Sequence, residues 1–307
     1  MWRYVLRRLV LAIPVLLGIS MGVFLMAELV PGDPATVLAG DTASPATIER
    51  IRIDLGLDQP AAVRYAKFLQ RLVVQGSLGE STRTHREVLV EIMDRMPYTL
   101  ELALGAVLLS TVVGVGVGIV AAVNRGRRSD YGIMGAAVLA LSIPSFFIAL
   151  LMIILFSVTL RWLPVTGAGT WQHLVLPTVA LSLHSAAVKA RITRSSMLEV
   201  LGQEYLRTAR AKGLRERTVV LRHALKNALI PITTLIGLQF GALLGGAFII
   251  ENIFGWPGIG RLAVQSVFNR DFPVVQGTVL LGAAIYFTAN LAVDLIYAWL
   301  DPRIRYS

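Results

Sequence analysis

Four histidines, His85, His173, His184 and His223, are the first residues to test for chemistry, and their spacing offers none. Metal ligands recur at short fixed intervals, and no pair of these histidines does. The chain has no cysteine, so thiolate ligands and disulfides are excluded, and cysteine usage says nothing about compartment. Ser182 and Ser185 flank His184, the residue types of a nucleophile and its base. Residues two apart on a helix point in different directions, so Ser182 and His184 pair poorly, which argues against an intramembrane hydrolase. No Gly-x-x-x-x-Gly-Lys-Ser/Thr run is present. Without that phosphate-cradling loop the chain is not expected to hydrolyse ATP or to bind a cofactor of its own. Asp294 lies seven residues before Asp301, about 10 Å along a helix from the inner end of the last apolar stretch. An acid at that depth is costly unless paired and flags function by default. We read it as half of a structural ion pair with Lys189, Arg191 or Arg303.

The most polar and basic stretch of an otherwise hydrocarbon chain runs from Glu204 to Arg217. As a helix it places Tyr205, Thr208, Ala209 and Lys212 on one face, with small residues mid-face that admit another backbone. Arg207 and Arg210 lie off that face, suited to salt bridges or lipid phosphate. Gly213 supplies a positive-φ position that ends such a helix, and Leu214 follows it. A second helical run, 216–227, leads into a new apolar span. Two readings stand open on the residues alone. The stretch is a docking loop for another protein, or it is a basic loop that fixes topology and rests on anionic lipid.

The elements that carry these residues are membrane helices. Of 307 residues 55% are hydrophobic and only 16% charged, and the mean hydropathy is +0.66. That places the chain among integral membrane proteins. A net charge of +10 would suggest nucleic acid in a soluble protein. Here the basic residues gather at the ends of apolar spans, the pattern topology produces, and no nucleic acid partner is expected. The spacing predicts six spans: 9–29 with Pro14 as a kink, 98–123, 131–160 with Pro144 at its middle, 173–193, 228–250 and 273–300. The first apolar run is too long for a signal peptide and has no small-x-small cleavage site after it. Arg3, Arg7 and Arg8, then Arg125, Arg127 and Arg128, the 194–227 loop, and Arg303 with Arg305 put both termini inside. Residues 30–97 carry eight Lys/Arg against nine Asp/Glu, a composition fit for an external subdomain with helices at 46–55 and 61–74. The organisation is therefore 1–29 as inner terminus and first helix, 30–97 external, and 98–307 a five-helix core that includes the 194–227 loop. Two spans carry small-xxx-small rows, Gly114 with Gly118, and Gly237, Gly241 and Gly245. The double row predicts that the fifth span packs at the centre. Between the last two spans, Glu251-Asn-Ile-Phe254-Gly-Trp256-Pro257-Gly-Ile-Gly-Arg261 is rich in turn residues and aromatics, as an external re-entrant element or gate would be.

The runs Tyr205-Leu-Arg-Thr-Ala-Arg-Ala-Lys-Gly-Leu214 and His223-Ala-Leu-Lys-Asn-Ala-Leu-Ile-Pro231 resemble the coupling loop of ABC-importer permeases, specifically the dipeptide/oligopeptide/nickel/glutathione branch. Of that family's general Glu-Ala-Ala-x-x-x-Gly motif, only Ala209 and Gly213 match, so the likeness is to the branch. It extends to Pro31-Gly-Asp-Pro34, Leu55-Gly-Leu-Asp-Gln-Pro60 and Gly76-Ser-Leu-Gly-Glu-Ser81 in the external segment. It also takes in Asn290-Leu-Ala-Val-Asp294 and Asp301-Pro-Arg-Ile-Arg-Tyr306 at the end. The resemblance implies an all-α, type I importer permease in a bacterial or archaeal cytoplasmic membrane. It implies a second, related permease subunit, two cytoplasmic ATP-binding subunits docked through Tyr205, Arg207, Thr208, Ala209, Arg210, Ala211, Lys212, Gly213 and Leu214, and an external solute-binding protein. ATP and Mg would be used by those ATPases, whose closure pushes the loop and drives alternating access. The branch handles dipeptides, longer peptides, glutathione, nickel chelates and haem. The segment Gly167-Ala-Gly-Thr-Trp-Gln-His173 and the Asn252 to Arg261 loop resemble glutathione importers. A secondary transporter, the rival reading, predicts midplane acids and two similar halves, and neither is evident here.

Overall fold

A computed structural model describes residues 2–29, 33–39, 43–54, 56–244 and 247–300. Among them there is no strand, only one antiparallel bridge between Glu80 and Glu87. The chain opens with α1 (Trp2–Leu29), which keeps Pro14 in its interior. Short helices α2 (Pro34–Ala39), α3 (Pro45–Asp54) and α4 (Ala61–Gln70) follow. Asp33 caps α2 through the Ala35 amide at 3.1 Å and accepts a 2.5 Å bond from Arg52 of α3. The Arg52 guanidinium holds the Asp33 carboxyl below the usual carboxylate range. α4 leans on α1: Tyr65 tilts against Phe24 with ring centroids 5.3 Å apart, and its hydroxyl bonds Ser20 at 2.9 Å.

α5 (Val88–Val123) is 36 residues long, about 54 Å at 1.5 Å per residue, and runs on through Pro97. It therefore begins ten residues before the span expected at 98, and the boundary drawn at 97 falls inside a helix. Phe68, Leu78, Val88 and Ile92 share one apolar cluster with Ile259, Leu262, Val274 and Leu280. The second half of the 30–97 segment is thus built into the same core as the last two helices, α14 (Ile259–Phe268) and α15 (Phe272–Leu300). A Cβ on Gly277 of α15 would stand 2.4 Å from Val88 Cγ1, which leaves room for glycine only.

The stretch expected as a third span with Pro144 at its middle is two helices, α6 (Arg128–Ser142) and α7 (Ser145–Met152, continued by a wider π-helical turn to Thr159), bent by 101°. Proline disfavours the helical region for the residue before it, and here that preference prevails, unlike at Pro14 and Pro97. Ile143 accordingly sits at φ −93°, ψ 126°, and the helix stops there. After α8 (Trp171–Leu201) come α9 (Glu204–Ala211), α10 (Glu216–Thr218), α11 (Leu225–Ala228), α12 (Ile230–Leu244) and α13 (Phe248–Ile253).

Among the described residues three helices are long and apolar enough to cross a membrane, Leu6–Met26, Val88–Val123 and Phe272–Ala292, or up to five if each bent pair is one span. The remaining expected span, α8, has the length at 31 residues but not the apolarity. Its surroundings explain this. α8 lies among α5, α6, α7 and α12, and Thr178, Ser182, Lys189 and Thr193 are buried against them, whereas His184 and Arg191 are exposed. Lys189 is buried and donates to Ser110 Oγ at 2.7 Å and Thr111 Oγ1 at 2.9 Å, both on α5. Arg194 forks onto the Asp130 carboxylate of α6 at 2.6 and 2.8 Å, and Asp130 also accepts from the Gly126 amide.

Candidate coupling and gating surfaces

α9 is amphipathic and short, so its position comes from one anchor. Leu206 is fully buried, in a cluster with Ala122 of α5, Met197 of α8 and Val219, Val220, Ala224 and Ala228 of the following turns. Around it Tyr205, Arg207, Thr208, Arg210, Ala211, Lys212, Gly213 and Leu214 are exposed. Ala209, expected on the outward face with Tyr205, instead packs toward the Leu206 cluster. At 100° per residue it lies about 40° from exposed Tyr205 and about 60° from buried Leu206, at the border of the two faces, which is why it is only half-buried. Tyr205 is half turned back onto the chain: its hydroxyl accepts from Asn227 Nδ2 at 2.7 Å and donates to the His223 carbonyl at 3.5 Å. Gly213 takes φ +77°, and the Leu214 amide reaches back to the Ala209 carbonyl at 3.3 Å, closing the helix. Arg210 then forks onto Glu216 at 3.0 and 2.8 Å, which fixes the turn between α9 and α10. The result is a basic, solvent-facing helix rooted by one leucine in the ends of α5 and α8.

The stretch from Glu251 to Arg261 forms a buried knot. Phe254 and Trp256 are both 2% exposed, and Pro257 and Arg261 are half-buried. Trp256 sets its ring edge-on to Tyr98 at 6.1 Å and donates Nε1–H to the Tyr98 carbonyl at 2.9 Å. Arg261 donates to the Gly255 carbonyl. The organising group is Glu251, a fully buried carboxylate. It accepts from the Thr99 hydroxyl at 2.9 Å, the Arg261 amide at 3.0 Å and the Gly260 amide. Thr99 Oγ1 in turn accepts from the Ile259 amide at 2.8 Å. The first N–H groups of a helix have no partner within it, and here a carboxylate and a hydroxyl from elsewhere supply them. Gly258 is required by this: a Cβ there would lie 2.4 Å from the Glu251 carboxyl. In the sequence Glu251 stands out only as the loop's first residue. It lies eight residues before α14, outside the register of a local capping box, so no short-range pattern marks it.

The glycine rows separate. A Cβ on Gly114 would meet the Ala186 carbonyl oxygen at 2.7 Å, and one on Gly118 would meet Thr193 Cβ at 2.6 Å and the Ala190 oxygen at 2.7 Å. α5 and α8 therefore touch backbone to backbone. Gly241 has Ala289 Cβ at 3.2 Å, a looser contact of α12 with α15. Gly237 lies in α12, and Gly245 lies outside the described residues. The side chain of Asp294, in α15, and the whole of Arg303 likewise lie outside the described residues.

Two family profiles cover most of the chain. Residues 114–306 match the binding-protein-dependent transport system inner membrane component, and residues 1–103 match the N-terminal part of such membrane components. Glutathione transport system permease protein GsiC of Salmonella typhimurium (strain LT2) is 46% identical over 307 residues, all of both chains, and so is that of Escherichia coli (strain K12). Among solved structures, the MetNI methionine ABC transporter in inward-facing conformations superposes with a TM-score of 0.59 at 18% identity, covering 69% of this chain and 97% of that one. An amino acid ABC transporter crystallised with histidines gives 0.53 at 18%, covering 70% and 95%. At such identity these two structures show the fold alone. A multi-pass fold whose seam, knot and basic helix span the chain, matched end to end by these profiles, makes this protein a member of the binding-protein-dependent inner membrane permeases of ABC importers, in the dipeptide/oligopeptide/nickel/glutathione branch.

Proposed function

We propose that this chain forms one half of a translocation pathway for glutathione or small peptides, opposite a second, related permease. Two cytoplasmic ATP-binding subunits dock on the 194–227 loops of the pair, and an external solute-binding protein delivers the substrate. ATP and Mg belong to those ATPases, and both termini of this chain lie in the cytoplasm. The full-length likeness to glutathione permeases supports the substrate class. The observation that carries the coupling role is the rooting of α9. Its exposed residues offer a partner a basic surface, while Leu206 passes any displacement into the ends of α5 and α8.

The test is purification of the tagged chain in mild detergent with its partners, followed by reconstitution. A second six-span permease and ATPase subunits should accompany it. Arg207→Glu combined with Gly213→Pro should abolish ATP-coupled uptake while leaving membrane insertion intact, because proline cannot adopt the +77° φ of Gly213. Uptake by the chain alone under an ion gradient would overturn the proposal.

A further inference from the structure

Residues Val219–Ala224 form a wide, π-helical turn inside a helical run. The Leu225 amide bonds to the Val220 carbonyl, five residues back, where an α-helix reaches four. Two other wide turns, Arg71–Gln75 and Ile153–Thr159, end helices and lead into loops, an ordinary place for them. This one has helix on both sides, α10 before it and α11 after it. Interior turns of this kind are rare and recur at functional sites. Here α9 holds the turn in two ways. The first is apolar. Val219 and Ala224 are fully buried, and both stand in the cluster around Leu206. In an α-helix residues five apart point about 140° from each other, so Val219 and Ala224 could not both face one leucine. Bonding five residues back brings them round to the same side. The second hold is polar. The Tyr205 hydroxyl accepts from Asn227 Nδ2 at 2.7 Å and donates to the His223 carbonyl at 3.5 Å, bridging from α9 to the end of the turn and to α11.

We infer that this turn is a register joint, wide while α9 is seated against it and tightened to an α turn when α9 is displaced. Tightening shifts the following segment by one residue, a rotation of about 100° and a travel of about 1.5 Å. That segment is α11, which leads through Leu229 into α12. The inference rests on α9 as the coupling surface proposed above and adds what that surface moves. A displacement of α9 takes away both the leucine that Val219 and Ala224 share and the hydroxyl bridge, and nothing else in the Leu206 cluster asks for a wide turn.

The chain has no cysteine, so an introduced pair reports on this chain alone. Leu206→Cys is combined with Val219→Cys in one variant and with Ala224→Cys in another, each in the complex with its ATPase subunits in nanodiscs. Both pairs should crosslink without nucleotide. Trapped with ATP and vanadate, one pair should crosslink as before and the other should not, since an α turn leaves only one of the two facing α9. Persistence of both would mean a turn that stays wide, and loss of both an α9 that lifts away whole; either result overturns the joint. Tyr205→Phe keeps the ring and removes the bridge. Without nucleotide, the 224–228 amides should then exchange about two- to tenfold faster, as for a hydrogen bond lost. An unchanged rate would overturn the hold by α9. Deleting Leu221, an exposed residue of the turn, leaves an unbroken α-helix. ATP-coupled uptake should then be lost while the ATPase subunits still co-purify, and uptake at the unaltered rate would overturn the joint. If no ATPase subunits accompany the unaltered chain, the coupling reading fails, while exchange in Tyr205→Phe on the isolated chain still decides whether α9 holds the turn.

Discussion

Replacing Glu251 by alanine removes the acceptor for three buried donors, the Gly260 and Arg261 amides and the Thr99 hydroxyl. A buried donor left unpaired costs about 1–3 kcal/mol, so three at the low end give about 3 kcal/mol even when water enters the space. That cost falls locally, on the start of α14. Since about 1.4 kcal/mol is a factor of ten in an opening equilibrium, the 259–261 amides should exchange about a hundredfold faster. Glu251→Gln keeps the volume and one oxygen but loses the charge opposed to the helix N-terminus and turns an NH₂ toward a donor. An intermediate effect, about tenfold, is expected. The assay is hydrogen exchange with mass spectrometry on the detergent-solubilised complex, comparing peptides across 255–265 with peptides across 219–228. Exchange at 259–261 within about twofold of the unaltered protein in Glu251→Ala would refute the capping role. Equal acceleration at 219–228 would refute its local character.

Three glycine variants form a graded series on thermal stability of the complex. Gly116, with nothing within 4 Å of its would-be Cβ, should accept alanine with no loss or a gain of about 0.5–1 kcal/mol, and Gly241 with 3.2 Å should lose little. Gly118→Ala, which drives a Cβ to 2.6 Å from Thr193, should be the most damaging, at about 1–3 kcal/mol or more. The Asp130–Arg194 pair gives a second test by melting temperature. Arg194→Leu leaves the Asp130 carboxylate with only the Gly126 amide and should lower the melting temperature, while Arg194→Leu with Asp130→Asn recovers part of that loss.

Some of this architecture is legible in the sequence because it is local. Helix α3 at Pro45–Asp54 and helix α4 from Ala61 follow from turn residues and amphipathic spacing, and Gly213 announces the end of α9 through its backbone freedom. The break at Pro144 is visible as a proline, but its 101° angle is not, since the angle depends on what α7 packs against. The glycine rows mark close approach without naming a partner: Gly114 and Gly118 choose α8, a pairing of residues some 70 positions apart that no local pattern marks. Lys189, Asp130 and Glu251 look like isolated charges in apolar surroundings until the third dimension brings Ser110, Arg194 and the α14 amides to them.

The expected centre of the molecule is the fifth span, but the structure puts α5 in that role for a mechanical reason. Its first half is tied to the Glu251 knot through Tyr98 and Thr99. Its middle is fused to α8 along Gly114 and Gly118. Ala122, at its C-terminal end, belongs to the cluster that roots Leu206. On the proposed coupling role, a displacement of α9 would reach α5 and α8 together, because Leu206 packs against both and the interlocked Gly114–Gly118 seam opposes sliding of one helix past the other. The pair would then tilt as one body, and the knot would move with it because it is tied to the same helix. On that proposal two surfaces far apart in sequence, one basic and exposed, one aromatic and buried, are linked through a single helix.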